Sequence, residues 1–157
     1  MPRALEPASA SPGDRYAIVV AQWNRSVTDK LLEGATTTLR EAGVPDENIE
    51  IAHVPGAWEI PIVAQRMAAS ARYAAVICLG AVVRGETSHD QHINRGVSLA
   101  ISQIALQFDL PVLLGILTCE SMEQAIDRAG GKHGNKGSEC AEAALAMVGL
   151  LKNLPTA

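Results

Sequence analysis

The sequence has no long hydrophobic run. Its longest apolar stretch, residues 74–83, is far shorter than the ~20 residues that a transmembrane helix requires. The amino-terminal residues also lack the apolar segment of a secretory signal peptide. These absences predict a protein that stays in the cytoplasm and does not enter the membrane.

An excess of positive charge is also absent, and so are paired cysteines. The net charge of −4 excludes the broad basic surface with which proteins bind nucleic acids or anionic membranes. Any anionic ligand must therefore be held by a few local groups. Cys78, Cys119 and Cys140 are odd in number and lack metal-type spacing, so we expect free thiols in a reducing compartment.

The chain does have a high hydrophobic content, 48% of its 157 residues. This is enough for one well-buried core, and the chain is too short for two ordinary domains. Residues 1–14 are rich in Pro, Ala and Ser and show no periodicity. We therefore expect a flexible or partner-ordered arm over residues 1–14 and one domain over residues 15–157.

Short apolar strands alternate with helical repeats along that domain. The predicted strands cover residues 16–21, 49–54, 73–81 and 111–117. The predicted helices cover residues 27–41, 60–67 with the alanines that follow, 89–108, 121–129 and 138–154. A glycine-rich loop, residues 129–137, separates the last two helices. This alternation predicts a flavodoxin-like three-layer α/β/α sandwich with a four-stranded parallel sheet.

Ligands of such sheets bind beyond the carboxyl ends of the strands, and unusual residues follow the first two strands. Trp23 can stack on a flat heterocycle, and Asn24 can form hydrogen bonds with its substituents. The segment VPGAWEIP makes a tight turn before Glu59, which can accept hydrogen bonds from a polyol. The simpler structural interpretations are a half-buried Trp at the sheet edge and an acid that stabilises a helix N-terminus.

The segment GAVVRGETSHDQH after the third strand is the densest run of polar groups in the chain. Glu86 and Thr87 precede a helix whose free amides and dipole favour a phosphate. The Thr87 hydroxyl adds a donor, whereas the Glu86 carboxylate would repel phosphate unless it points away. His89 follows and can transfer protons near neutral pH. A solvated or core-packed histidine is the alternative.

Two cations, Arg128 and Lys136, flank the glycine-rich segment after the fourth strand. Arg128 can clamp a phosphate through two hydrogen bonds, and a solvated surface charge is the alternative for both residues. The segment is not a P-loop, because the required Gly-Lys-Ser/Thr order is absent. A metal site formed by His89, His92, Asp90 and His133 is disfavoured because no second spaced ligand pair exists.

The segments that follow the four predicted strands, taken in their order along the chain, resemble those of the 6,7-dimethyl-8-ribityllumazine synthase family. These enzymes catalyse the penultimate step of riboflavin biosynthesis. The resemblance covers residues 16–154 and rests on Trp23-Asn24, VPGAWEIP, GAVVRGETSHDQH, PVLLGILT, EQAIDRAG and GNKG. It implies a transferase that needs no cofactor and no metal. Its substrates would be 5-amino-6-(D-ribitylamino)uracil and 3,4-dihydroxy-2-butanone 4-phosphate, and it would release phosphate and water.

The resemblance also implies roles for particular residues. His89 would transfer protons. The phosphate would be bound by Glu86, Thr87, Arg128 and Lys136. The ribitylamino-uracil would be bound by Trp23, Asn24, Ala57, Trp58, Glu59, Ala81, Val82, Val83 and Leu114. Family members often carry Phe in place of Trp23 and Leu114, a pair of changes that could shift affinity for flavin-like ligands. A small residue is frequent in place of Glu86, so its backbone amide matters more than its carboxylate.

Members of the family form pentamers with sites between neighbouring subunits, and some pentamers assemble into decamers or sixty-subunit shells. The resemblance therefore implies a homo-oligomer, permits a sixty-subunit shell, and suggests association with riboflavin synthase. The linker between EQAIDRAG and GNKG lacks the insertion associated with free pentamers. A non-catalytic flavin binder and a structural shell protein on the same fold are the alternatives. Absence of the proton-transfer histidine would mark the flavin binder, and the presence of His89, Arg128 and Lys136 argues against the shell protein.

Overall fold

Four parallel strands form the central sheet in the computed structural model, which describes residues 1–156. They are β1 (Tyr16–Ala21), β2 (Ile49–Val54), β3 (Ala75–Val83) and β4 (Val112–Cys119). Their order across the sheet is β2-β1-β3-β4, with Tyr16 of β1 opposite Ile49 of β2 and Ala75 of β3. The carboxyl ends of all four strands therefore meet at one edge.

Five helices cover the sheet within the described residues. They are α1 (Arg25–Glu41), α2 (Ile60–Ala69), α3 (His89–Phe108), α4 (Met122–Asp127) and α5 (Lys136–Lys152). A 3₁₀ turn, Ala57–Glu59, leads into α2, and another, Asp46–Asn48, precedes β2. Within residues 1–156 no helix combines the length and the apolar character needed to cross a membrane.

Side chains of each central strand point alternately into two hydrophobic layers. Ile18 and Val20 of β1 pack in one cluster with residues of α1 and α5, whereas Ala17 and Val19 pack in another with residues of α2 and α3. Strands buried on both faces need apolar residues at every position, which explains the continuous apolar runs in the sequence. The predicted flavodoxin-like three-layer sandwich is confirmed.

The segment predicted as a glycine-rich loop is instead a small antiparallel hairpin. Its strands are β5 (Ala129–Gly131) and β6 (Gly134–Asn135). Gly130 and Gly134 have φ angles of 103° and 78°, which other residues rarely adopt, and these angles reverse the chain. Consequently α4 ends at Asp127, before the predicted residue 129, and α5 begins at Lys136, before the predicted residue 138. Apolar periodicity carries no signal for so short a hairpin.

Part of the amino-terminal arm lies against α5 and the residue after it. The amide of Ala8 donates to the Gly149 carbonyl at 2.9 Å, and Asn153 Nδ2 donates to the Glu6 carbonyl at 2.6 Å. A Cβ atom at position 149 would overlap the carbonyl oxygen of Ala8, so glycine permits this approach. The flexibility of residues 1–14, and their separation from the domain, stay predictions.

Candidate active site

A pocket of about 270 Å³ opens at the carboxyl edge of the sheet, between β1, β3 and the first turn of α3. Its lining includes eight of the residues that the sequence predicted as site residues: Trp23, Asn24, Ala57, Ala81, Val82, Val83, Thr87 and His89. Gly85, Asp90 and Ile93 complete the lining. We call this cavity the strand-end pocket.

Asn24 connects two strands at the floor of the strand-end pocket. It follows β1 with a left-handed backbone (φ 65°), a conformation that Asn tolerates better than most residues. Its Nδ2 atom donates to the carbonyl oxygen of Ala81 in β3 at 2.9 Å. The amide nitrogen is thus engaged by the protein, and the amide oxygen is the polar atom that Asn24 can offer to a ligand.

The loop between β2 and α2 fixes the position of Trp23. The backbone amide of Trp23 donates to the carbonyl of Pro55 at 3.0 Å, and the indole ring lies directly against Gly56, where a Cβ atom would overlap it. The side chain is nevertheless 65% exposed. The exposed face of the Trp23 ring therefore lies at the pocket and is held in place by the loop, as stacking on a flat ligand requires.

Trp58 and Glu59 lie outside the strand-end pocket. They line a separate groove of about 360 Å³ between α2 and α3, where the Trp58 ring packs against Gly96 and is 59% exposed. Glu59 Oε1 accepts a hydrogen bond from the backbone amide of Gly56 at 3.0 Å. This bond is the helix-terminal role that the simpler interpretation assigned to Glu59.

The loop after β3 is tied to the end of β4. The amide of Arg84 donates to the Cys119 carbonyl at 2.9 Å, and its guanidinium donates to Glu120 Oε2 at 2.9 Å. The Glu120 carboxylate raises the pKa of Arg84 above its ordinary value. Thr87 Oγ1 accepts from the amide of His89 at 3.3 Å. Glu86 is exposed and does not line the strand-end pocket.

Arg128 and Lys136 line a second pocket, of about 410 Å³, at the end of β4. We call it the cationic pocket. His133, Asp127 and Gln124 also line it, and none of its lining residues belongs to the strand-end pocket. Within one chain, the residues predicted to bind one phosphate are therefore split between two cavities. Leu114 lies on β4, lines neither cavity and is 43% exposed.

The three cysteines are free and buried, as the sequence predicted. Burial raises the pKa of Cys140 to about 11 and raises that of Cys78 as well. Cys119 borders the cationic pocket, and burial raises its pKa although Arg128 opposes the shift. Thiols in these surroundings stay protonated near neutral pH and are poor nucleophiles.

The metal-site interpretation has no geometric support in the described part of the chain. No group of three His, Cys, Asp or Glu side chains in residues 1–156 is arranged to hold a metal ion. His133 lies on the hairpin and lines the cationic pocket, whereas His89 lines the strand-end pocket.

Sequence reasoning assigned no substrate role to Asp90 and Ile93 in the strand-end pocket, or to Asp127 and His133 in the cationic pocket. Helical spacing carries a signal for Ile93, because residues 89 and 93 are four apart and share a face of α3. The second pair could not be placed before the hairpin was known, because the hairpin folds position 133 back towards α4. The amide of His133 donates to the Asp127 carbonyl at 2.9 Å.

Two comparisons with known proteins bear on this arrangement. A family model described as 6,7-dimethyl-8-ribityllumazine synthase matches residues 13–152. A relative from Desulfatibacillum aliphaticivorans, named 6,7-dimethyl-8-ribityllumazine synthase, is 48% identical over 150 residues, which cover 96% of this chain and 97% of the relative. The family match includes every site residue predicted from the sequence.

Proposed function

This chain belongs to the 6,7-dimethyl-8-ribityllumazine synthase family and is a transferase of riboflavin biosynthesis, and we propose that the strand-end pocket is where it binds the ribitylamino-uracil. The reaction condenses 5-amino-6-(D-ribitylamino)uracil with 3,4-dihydroxy-2-butanone 4-phosphate to 6,7-dimethyl-8-ribityllumazine. Phosphate and water are released.

The observation that carries the proposal is the grouping of an exposed aromatic ring, backbone of β3 and a histidine around one small cavity. Trp23 offers a ring face for the pyrimidine, and residues 81–83 offer a strand edge for its polar atoms. His89 begins α3 at the mouth of the same cavity. A flat heterocycle held between these groups would present its amines to His89.

The substrates supply the nucleophile and the electrophile of this reaction. The 5-amino group attacks the ketone, an imine forms, phosphate leaves, and the ribityl-bearing nitrogen closes the second ring. Each step moves protons, and His89 is suited to give and receive them near neutral pH. The protein then contributes mainly orientation and electrostatic stabilisation, which can account for large rate gains.

We further propose that a second copy of the chain completes each site. Arg128 and Lys136 lie in the cationic pocket, apart from His89 and Thr87, yet a single sugar phosphate must reach all of them. A ring in which one copy places its cationic pocket beside the strand-end pocket of the next copy would unite the two halves. Leu114 and Glu86, which are exposed on one chain, would also contact the substrates in this arrangement.

Several large apolar side chains are exposed to solvent when a single copy of the chain is considered alone, and this supports such an assembly. Trp58, in the 3₁₀ turn before α2, and Ile62 of α2 are exposed and line the same groove, and Leu99 of α3 is exposed as well. A cluster of exposed apolar side chains often marks an interaction site. A pentamer, its further assembly into a sixty-subunit shell, a cytoplasmic location and association with riboflavin synthase belong to this proposal.

The test of the function is a lumazine assay. Purified protein is mixed with both substrates, and lumazine absorbance is compared with the uncatalysed reaction. We expect acceleration that requires both substrates. Flavin binding without acceleration would instead indicate a non-catalytic flavin binder.

Variants of His89 and Arg128 test the assignments within the site. His89→Ala should lower kcat with the fold intact, because it removes a proton-transfer group. Arg128→Ala should chiefly raise KM for the sugar phosphate, because it removes a phosphate ligand. Wild-type kinetics in both variants would show that the site is misplaced. Circular dichroism of each variant establishes that the fold is retained.

A further inference from the structure

Asp90 is a pocket residue to which the proposed function gives no role. It follows His89 in the first turn of α3, and both residues line the strand-end pocket. Its Oδ1 atom is buried and has no hydrogen-bond partner among residues 1–156. Buried polar atoms in proteins are almost always paired, so an unpaired one on a residue that lines a ligand cavity points to a missing donor.

The neighbours of Asp90 do not supply that donor. Arg84 lies close enough for the Asp90 charge to contribute to its raised pKa, but its Nη1 atom is hydrogen-bonded to Glu120. Asn94, one turn further along α3, presents an oxygen that is also buried and unpaired in the described structure. Two acceptor oxygens cannot satisfy each other.

We propose that Asp90 accepts a hydrogen bond from the 5-amino group of the ribitylamino-uracil and takes up a proton from it during attack on the ketone. This inference rests on the proposed function, since it places that substrate in the strand-end pocket. An ionised carboxylate only accepts hydrogen bonds, and the uracil substrate is rich in N–H donors.

The proton transfers balance with Asp90 and His89 acting together. As the nitrogen bonds to the ketone carbon, the carbonyl electron pair moves to oxygen, which takes a proton from protonated His89. The nitrogen passes one proton to the Asp90 carboxylate, giving the neutral carbinolamine. Protonated Asp90 then returns its proton to the departing hydroxyl, which leaves as water. The iminium N–H proton passes to His89, so both residues regain their starting states.

A purely structural role makes different predictions. An acidic residue in the first turn of a helix interacts favourably with the helix dipole. If that were its whole contribution, removing the charge would lower thermal stability and leave turnover unchanged. The two roles are therefore separated by comparing kcat with the unfolding temperature.

The decisive variant is Asp90→Asn, which keeps the size and an acceptor oxygen but cannot take up the proton. We expect kcat to fall by about a hundredfold, the range of a lost acid–base group, while KM for both substrates stays within about threefold. Asp90→Glu restores a carboxylate and should recover at least about a tenth of the wild-type kcat. The control is Glu142→Gln, which removes a carboxylate from the exposed surface of α5 and should leave kcat unchanged.

Substrate binding is measured in parallel by equilibrium dialysis of the uracil against wild-type and Asp90→Asn protein. Asp90→Asn should still bind the uracil, because the Trp23 ring face is retained. A wild-type kcat in Asp90→Asn, or equal losses in Asp90→Asn and Asp90→Glu, would overturn the role of Asp90. Failure of the proposed function is distinguishable, because the wild-type protein itself would then give no acceleration.

Discussion

The hydroxyl groups of the two tyrosines in this chain have different hydrogen-bonding surroundings. Tyr16 is buried at the start of β1, and its hydroxyl has no hydrogen-bond partner among the residues described. Tyr73 donates its hydroxyl to Glu50 Oε2 at 2.8 Å, and this bond lowers the pKa of Glu50. The same substitution at the two positions should therefore have opposite effects.

Tyr16→Phe should leave the free energy of unfolding at pH 7 unchanged or raise it by about 1 kcal/mol, because an unsatisfied buried hydroxyl is removed. Tyr73→Phe should lower it, because a hydrogen bond to a charged group is lost. Urea unfolding followed by circular dichroism measures both. A loss of stability in Tyr16→Phe as large as that in Tyr73→Phe would contradict the assignment of partners.

Tyr16 also predicts a dependence of stability on alkaline pH. Burial, and to a smaller extent the Asp14 carboxylate, raise the pKa of Tyr16 to about 12. The folded state thus favours the neutral phenol, and this contribution is complete below the unfolded pKa of about 10 and is lost as pH rises towards 12. Wild-type protein should lose more stability than Tyr16→Phe between those two values. Parallel loss in both proteins would exclude Tyr16 as the cause.

Asn24 offers a further prediction at the residue scale. Its left-handed backbone favours Asn or Gly, and its side chain holds the Ala81 carbonyl. Asn24→Ala loses both advantages, whereas Asn24→Gly loses the amide and keeps the backbone. Asn24→Ala should be less stable than Asn24→Gly by about 1 kcal/mol. Both should have a lower kcat/KM for the uracil. Equal stabilities would show that the backbone conformation contributes nothing.

Single residues also show what the sequence could reveal about the site. Trp23, Asn24 and His89 follow strands, and the rule that ligands bind beyond strand ends predicted them without coordinates. Glu59 was ambiguous from the sequence, because an acid before a helix can cap the helix or bind a ligand. The bond to the Gly56 amide demonstrates the cap. The unpaired oxygen of Asp90 depends on side-chain rotation, which sequence patterns do not encode.

At the scale of elements, the sequence predicted the four main strands and most helix bounds, because buried parallel strands and amphipathic helices have distinct apolar periods. It failed at the β5–β6 hairpin. That hairpin depends on two glycines with positive φ and on backbone hydrogen bonds from His133 to Asp127 and from Lys136 to Arg128. None of these features has an apolar period.

The packing of α1 against α5 gives the element-scale prediction. A Cβ atom at Gly137, in the first turn of α5, would overlap the backbone carbonyl of Leu31 in α1. Backbone cannot yield as a flexible side chain does. Gly137→Ala should therefore destabilise the protein by about 3 kcal/mol, at the high end for overpacking.

Urea unfolding measures this loss, and Gly13→Ala is the matched control. Open space surrounds Gly13 and its backbone is not left-handed, so its free energy of unfolding should change by less than about 0.5 kcal/mol. If Gly137→Ala unfolds like the control, α1 and α5 do not approach as closely as described.

At the scale of the whole molecule, one chain divides the predicted site residues between two cavities, and we proposed that assembly brings them together. Sedimentation equilibrium should give a mass that is a multiple of five times the 16.5 kDa of one chain. Trp58→Glu should weaken the assembly, because it replaces an exposed apolar side chain next to α2 with a charge. A monomer with full activity would contradict the composite site.

The most direct measurement for the central claim, a site shared between neighbouring copies, is complementation between two weakened variants. His89→Ala and Arg128→Ala chains are co-expressed with different affinity tags, and mixed oligomers carrying both tags are isolated. Activity is measured with the sugar phosphate well below KM, where each variant alone is impaired. The same variants, purified separately and mixed only in the assay, serve as the control.

If Arg128 of one copy serves His89 of the next, random mixing should pair two intact halves at about a quarter of the sites. The mixed oligomers should then recover about a quarter of the wild-type rate, while the control mixture recovers none. A rate no higher than that of the separate variants would contradict the account, because it would mean that both residues must come from the same chain.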